Sequence, residues 1–288
     1  MSRSKNTRQQ IGKALSDCPF FQSASNLLND REQLQRIRLQ QIPSLDECLN
    51  GLELKSLHEL FGDKKSGKSR LSQFLCVKAQ LPVDQGGLLE SEPVRAVYID
   101  SGNNFIEKWI EQVCRGYGIN AGDVRENIFL RKVKSAGELT QQVFKTAQEA
   151  LALNIKLIVI DDITTHFQQK PVTKRIDQLL EYLKVTAEAT GLAGVIVNDV
   201  KVKDAVIPEW IEKKSKITEV IDYEDLLSTG KRLYLNNIIA YACTDRLFLR
   251  SSSYSDRLKI LHIAKSPVSD TREFVIEYTD CGIREYDS

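Results

Sequence analysis

Histidine is scarce in this chain, three among 288 residues, and none lies near a pair of cysteines. That speaks against a zinc site. The six cysteines (Cys18, Cys48, Cys76, Cys114, Cys243 and Cys281) are scattered with no C-x-x-C, so they read as reduced, intracellular packing thiols. No apolar run approaches the roughly 20 residues needed to span a bilayer, and no membrane partner is expected. The first residues, MSRSKNTRQQIGKAL, are polar and basic and lack the apolar core of a secretion signal. Internal repeats and low-complexity tracts are absent. A net charge of +1 neither demands nor excludes nucleic acid, so local clusters of lysine and arginine must decide.

What remains is an ordinary globular composition, 42% hydrophobic and 27% charged, long enough for one large domain without disulfides. Residues 1–18 read as a mobile polar tail, 19–41 as a linker with a short helix, and 42–288 as the core. Leu27, Leu28, Leu34 and Ile37 carry the helical spacing in that linker. From Leu57 the chain alternates. Strands are predicted at 57–61, 96–100, 127–133, 156–161 and 192–199, and helices at 69–81, 105–118, 138–153 and 176–190. This rhythm implies a mostly parallel sheet flanked by helices, with ligands bound at the carboxyl ends of the strands. Asp100, Asp161 and Asp199 fall at such ends. Residues 201–235 show no regular pattern. IIAYACTDRLFLRSS, RLKILHIAKS and REFVIEYTDCGIREY then read as strands of an antiparallel C-terminal extension.

Gly62-Asp63-Lys64-Lys65-Ser66-Gly67-Lys68-Ser69 matches G-x-x-x-x-G-K-[ST] in full, with a strand before it and a helix after it. Its glycines let backbone N–H groups curl around phosphate oxygens, and the helix N-terminus adds its dipole, worth about 0.3–1 kcal/mol per charge. Lys68 is expected to reach the β- and γ-phosphates of ATP and Ser69 to hold Mg²⁺. Arg70, next along the helix, is assigned to the nucleotide with residues 62–69. Asp161, closing the strand LIVID, is the expected partner of the metal.

With these residues in hand, the chain resembles the RecA/RadA recombinases, in particular the archaeal and eukaryotic RadA branch, over about residues 20–288. LHELFGDKKSGKS, AVYIDSGNNF, NNIIAYACTDRLFLR and KSPVSDTREFVIEYTDCGI carry the resemblance. It implies a RecA-like P-loop ATPase core and an ATP site at a junction between subunits. Phe21-Gln22-Ser23-Ala24 is similar to the family's F-x-x-A motif, through which one subunit docks on the next; Phe21 and Ala24 would be the contact residues, unless the match is chance. The family's N-terminal helix-hairpin-helix domain has no counterpart expected before Phe21.

Departures from the family pattern are equally informative. Where active recombinases have Thr-Glu after the strand matching AVYID, this chain has Ser101-Gly102, so the usual base is missing and hydrolysis should be slow. Asp162 is either a substitute base or a solvated acid at a strand end. Asp199 stands where the family has a glutamine sensing the γ-phosphate, and an acid there repels a triphosphate unless it binds metal or is protonated. Lys265 replaces the cap's aspartate and could contact a phosphate.

Two stretches correspond to the family's DNA loops. The first, 166–175, holds Lys170, Lys174 and Arg175. The second, 201–235, holds Lys201, Lys203, Lys213, Lys214, Lys216, Lys231 and Arg232, but its 7 basic residues face 7 acidic ones. It is either a binding loop for single-stranded DNA or a solvated mixed-charge loop. Trp210 either stacks on a base or packs under the loop.

The expectation is an intracellular RadA-like paralogue, in cytoplasm or nucleus according to organism, that associates with a RadA-type recombinase or with itself and hydrolyses ATP weakly. The alternatives are a self-assembling, DNA-dependent recombinase and a KaiC-like regulatory protein that does not bind DNA. Gly102 opposes the first. The cap-like C-terminus and the F-x-x-A match oppose the second.

Overall fold

In the computed structural model of the chain, residues 35–167, 173–202, 231–233, 236–252 and 254–286 are described. All the elements below belong to one unit, Arg36–Ser288. Two short strands, β1 (Arg36–Ile37) and β2 (Leu52–Glu53), pair antiparallel around helix α1 (Pro43–Leu49). Strand β3 (Leu57–Gly62) then runs fully buried into helix α2 (Lys68–Lys78). β4 (Arg95–Asp100) is followed by α3 (Glu107–Tyr117), α4 (Ala121–Glu126) and β5 (Ile128–Lys132). Helix α5 (Ala136–Glu149), strand β6 (Ile155–Asp161), helix α6 (Thr173–Thr190) and strand β7 (Ala193–Val202) come next. The chain closes with β8 (Lys231–Leu233), α7 (Asn236–Ala242), β9 (Asp245–Ser251), β10 (Leu258–Lys265), β11 (Glu273–Thr279) and β12 (Gly282–Glu285).

The main sheet has the order β12-β11-β10-β9-β3-β7-β6-β4-β5, with β8 paired to β7. β3, β4, β5, β6, β7 and β9 are joined by parallel ladders. From β9 outward, β10, β11 and β12 pair antiparallel. This is the expected α/β architecture, a RecA-like core of mostly parallel sheet with an antiparallel extension. β9 itself belongs to the parallel part.

Burial on both faces explains the apolar strands. Successive strand residues point to opposite faces. Leu157 and Val159 pack into the core shared with α2 and α3, while Ile158 and Ile160 pack into the core under α5 and α6. The helix ends follow local chemistry. Ser135 caps α5 by accepting the Glu138 N–H at 3.2 Å, and Glu138 reaches back to the Lys134 N–H at 2.8 Å. Gly118 ends α3 in the left-handed region, φ 66°.

The structure corrects two local readings. IIAYAC is not a strand: residues 236–242 form α7, with Ile239 and Cys243 buried four residues apart and Tyr241 exposed. A short apolar run fits either period, and only its neighbours choose. Ile37, read into a helical spacing, lies in β1 and is fully buried with Leu39 in the core. Two short helices, α1 and α4, were not anticipated. Among the described residues no helix is long and apolar enough to cross a membrane.

The C-terminal hairpin β11–β12 reaches back to the site through helix α3. A Cβ on Gly116 would stand 2.1 Å from the Cys281 carbonyl oxygen in the hairpin turn. Gly116→Ala must therefore push the hairpin away and should cost about 2 kcal/mol, or a Tm lower by about 4 °C. Gly137→Ala, at an open position of α5, should leave Tm unchanged or slightly raised. Thermal denaturation of the two variants beside the parent checks both; equal Tm values would mean that the hairpin is not seated on α3.

Candidate functional site

A cavity of about 950 Å³ opens at the carboxyl ends of the central strands. Its wall includes Lys65, Lys68, Gly102, Asn104, Asp161 and Asp199. These come from β3–α2, β4, β6 and β7, as the parallel order requires.

The loop between β3 and α2 has little freedom. A Cβ on Gly62 would lie 1.9 Å from the Leu249 carbonyl oxygen, and the residue has φ 153°. Gly67, φ 100°, has no room either, because the Tyr278 hydroxyl would stand 2.6 Å from a Cβ. The Tyr278 hydroxyl donates to the Gly67 carbonyl at 3.0 Å. Tyr278 also lies against Trp109, whose ring carries Arg70 at 5.3 Å and whose indole N–H donates to the Arg70 carbonyl at 2.9 Å. The C-terminal hairpin and α3 therefore hold the loop from outside.

Lys68 is buried, and its ammonium donates to the Gly62 carbonyl at 3.0 Å and the Asp63 carbonyl at 2.7 Å. It also pairs with the Asp199 carboxylate at 2.9 Å. Ser66 Oγ is buried without a hydrogen-bond partner among the described residues. A glycine-bounded loop opening a helix, a central ammonium and a spare buried hydroxyl fit an anion such as a nucleotide phosphate.

Asp161 closes β6 and lies among polar neighbours. The Tyr98 hydroxyl donates to it, the Ser69 hydroxyl is bonded to it, and the Asn104 amide is 3.5 Å away. Burial raises its carboxyl to about 6, with Asp162 and Asp100 adding to the rise against the bonds from Tyr98 and Ser69. A carboxylate so short of positive charge suits a divalent cation. Among the described residues no group of three or more His, Cys, Asp or Glu is arranged to hold a metal. Mg²⁺ at Asp161 and Ser69 would thus draw its other oxygens from a phosphate ligand and water.

The turn after β4 is shaped by Asp100, whose carboxylate accepts the N–H groups of Gly102, Asn104 and Phe105 at 3.2, 2.9 and 3.2 Å. Gly102 therefore faces the cavity without a side chain, and the Asn104 amide lies over it: a Cβ on Gly102 would stand 2.6 Å from Asn104 Nδ2. Asp162 is buried and capped by its own turn, accepting from Thr164 Oγ1 at 2.7 Å, Thr165 N–H at 2.7 Å and Thr165 Oγ1 at 3.1 Å. Lys265 lies outside the cavity wall and closes α7, donating to the carbonyls of Ala240 and Cys243 at 2.7 Å each.

Phe21, Ala24, Lys170, Lys203, Trp210, Lys213, Lys214 and Lys216 lie outside the described residues, as does the tail 1–18. Lys174 and Lys201 are placed by backbone alone, in α6 and β7, and Arg175 is exposed on α6. Tyr98, Asn104 and Tyr278 escaped the sequence reading. Tyr98 left a faint signal, a hydroxyl inside the apolar strand AVYID. Tyr278, 211 residues from Gly67, left none.

Beneath the site lies a buried polar network. Glu59 on β3 is paired with Arg246 on β9 and accepts the Asn198 amide of β7 at 2.7 Å. Burial pushes the Glu59 carboxyl up, while Arg246 and Asn198 oppose the rise. Removing one partner strands a buried charge, whereas removing both need not. Arg246→Leu should cost about 3–5 kcal/mol and Glu59→Leu/Arg246→Leu clearly less. Urea unfolding of Glu59→Leu, Arg246→Leu and the double variant tests this; a double variant that loses the sum of the two single costs would rule out the coupling.

The family model described as Rad51 matches residues 31–286. The DNA repair and recombination protein RadA of Ignicoccus hospitalis is 28% identical over 270 residues, 88% of this chain and 75% of that protein. The RadA of Aeropyrum pernix, of the same description, is 28% identical over 258 residues, 84% of this chain and 71% of its own length. The DNA repair protein RAD51 homolog B of Zea mays is 27% identical over 278 residues, 92% of this chain and 74% of its length.

Proposed function

The chain belongs to the Rad51 family, and from that premise we propose that it is an ATP-binding, RadA-like paralogue that assists homologous recombination and DNA repair. It associates with a recombinase, or with itself, on single-stranded DNA, and it hydrolyses ATP slowly. The compartment is the one that holds the DNA. Relatives named for DNA repair and recombination support the process. The observation that carries the molecular role is the pairing of a formed phosphate loop with an empty base position: Lys68 and Ser69 stand ready at the head of α2, while Gly102 offers no carboxylate to the same cavity.

In this reading the loop 62–69 wraps the phosphates, Lys68 neutralises the outer ones, Arg70 flanks the nucleotide, and Ser69 and Asp161 hold Mg²⁺. Mg²⁺ supplies charge neutralisation on the phosphates. Gly102 supplies no base, and Asp162, which lines the same cavity while accepting from Thr164 and Thr165, is the substitute base and a weak one. Phe21 and Ala24 dock one subunit on the next, and Lys265 faces a phosphate across that junction. Lys170, Lys174, Arg175, Lys201, Lys203, Lys213, Lys214 and Lys216 contact DNA. Each phosphate neutralised steepens the salt dependence by about 0.7 for single strands.

Lys68→Ala should abolish nucleotide binding, measured by equilibrium titration; retained tight binding would mean the loop is not the site. A carboxylate returned by Gly102→Glu should raise ATP turnover, and more so with Asn104→Ala, because the Asn104 amide occupies the space the new side chain enters. An increase of about a hundredfold is the scale of a restored general base. Unchanged turnover in the double variant would put the block elsewhere in the site or at the subunit junction. Phe21→Ala should weaken association with a RadA-type recombinase or with a second copy. Size-exclusion mixing reads this, and an unchanged elution profile would remove the motif from the interface.

A further inference from the structure

The Lys68 ammonium has three N–H donors, and the chain supplies acceptors for all three: the carbonyls of Gly62 and Asp63 and the Asp199 carboxylate at 2.9 Å. The two carbonyls are neutral and belong to the loop itself. Asp199 is different. It comes from another strand, carries a full charge, and lines the cavity that an incoming anion must enter.

The position of Asp199 is set by the sheet. β3 and β7 run parallel with Gly62 opposite Asp199, so the strand end that opens the phosphate loop and the strand end that bears the acid are neighbours. The preceding residue, Asn198, is fully buried and its amide is held by Glu59, which is itself paired with Arg246. Beyond it, Val200 pairs with Leu233 of β8. The pairing of Asp199 with Gly62 and of Val200 with Leu233 holds this stretch of main chain in the sheet.

A loop lysine of this kind reaches the β- and γ-phosphates. A diphosphate can share Lys68 with Asp199. A triphosphate brings a γ-phosphate to the same ammonium in addition to the β-phosphate, and with it about one more negative charge than the diphosphate carries. We propose that Asp199 competes with the terminal phosphate for Lys68, so that the site favours nucleoside diphosphate over triphosphate compared with the same site carrying a neutral side chain at this position. The inference rests on the reading of residues 62–69 as a nucleotide loop and deepens it: the acid shifts the balance toward the diphosphate, because a terminal phosphate that reaches Lys68 displaces an internal ion pair.

The test is the ratio of affinities of the full chain for ATP and ADP. It is measured calorimetrically with Mg²⁺ in excess, and a β,γ-imido triphosphate replaces ATP to prevent turnover. Asp199→Asn should raise the triphosphate-to-diphosphate ratio about tenfold or more, the scale of one unit charge removed at contact distance in a partly solvated site. Asp199→Gln serves the same purpose if the asparagine variant fails to fold. Asp199→Glu, which keeps the charge, should hold the parent's ratio. A ratio that stays the same or falls in the amide variants overturns the proposal, a fall meaning that Asp199 helps the triphosphate through a bound cation. A ratio moved equally by Glu and by Asn also overturns it, because the effect would then be steric. Failure of the parent chain to bind either nucleotide, with Lys68→Ala indistinguishable from it, would instead sink the nucleotide reading and the selectivity with it.

Discussion

Strand β3 is hydrogen-bonded in parallel on both sides, to β7 and to β9, and it is buried along its whole length. The placement of the site follows from that constraint. A strand so enclosed must deliver its loop at one fixed point, and its last residue has to pass under the Leu249 carbonyl, where only glycine fits. The same register sets Asp199 beside Gly62 and Arg246 beside Glu59. The glycine-bounded loop 62–69, an opposing acid and a buried ion pair are thus consequences of one strand's neighbours.

The site also depends on two outer layers. On one side the hairpin β11–β12 seats Tyr278 on the Gly67 carbonyl and Trp109 under Arg70. On the other, Asp100 gathers three backbone N–H groups and so forms the turn that leaves Gly102 bare and turns the Asn104 amide toward Asp161. Gly102 and Asn104 work together physically. Losing a side chain at Gly102 makes room, and the Asn104 amide takes that room. An amide can orient a water but cannot take its proton at neutral pH, in line with the slow hydrolysis proposed above. The Lys68–Asp199 pair acts on a different quantity, which nucleotide is held and not how fast it is hydrolysed.

The alternation of strands and helices was legible from residue 57 onward because buried parallel strands carry continuous apolar runs and their helices carry amphipathic ones. The loop 62–69 was legible as a motif because eight consecutive residues spell it, and its strand and helix flanks are where the motif needs them. The local failures have a common origin. IIAYAC suits a strand as well as it suits α7, and the choice is made by what Ile239 and Cys243 pack against. Ile37 matched a helical spacing but was drawn into β1 by pairing with Leu52. Short segments carry too few periods to outweigh tertiary contacts.

The sequence by itself determined the chemistry on offer: the loop 62–69, the acids at the strand ends, the glycine where a base was expected, and the acid where a glutamine was expected. These are local facts, written in contiguous residues. Only the tertiary structure decided who meets whom. It brought Asp199 to Lys68 across 131 positions, Tyr278 to Gly67 and Arg246 to Glu59. It also engaged Asp162 and Lys265 with nearby hydroxyl, amide and carbonyl groups. Such pairings depend on sheet order and register, which arise from the burial of whole faces and leave no mark in the spacing of any one segment.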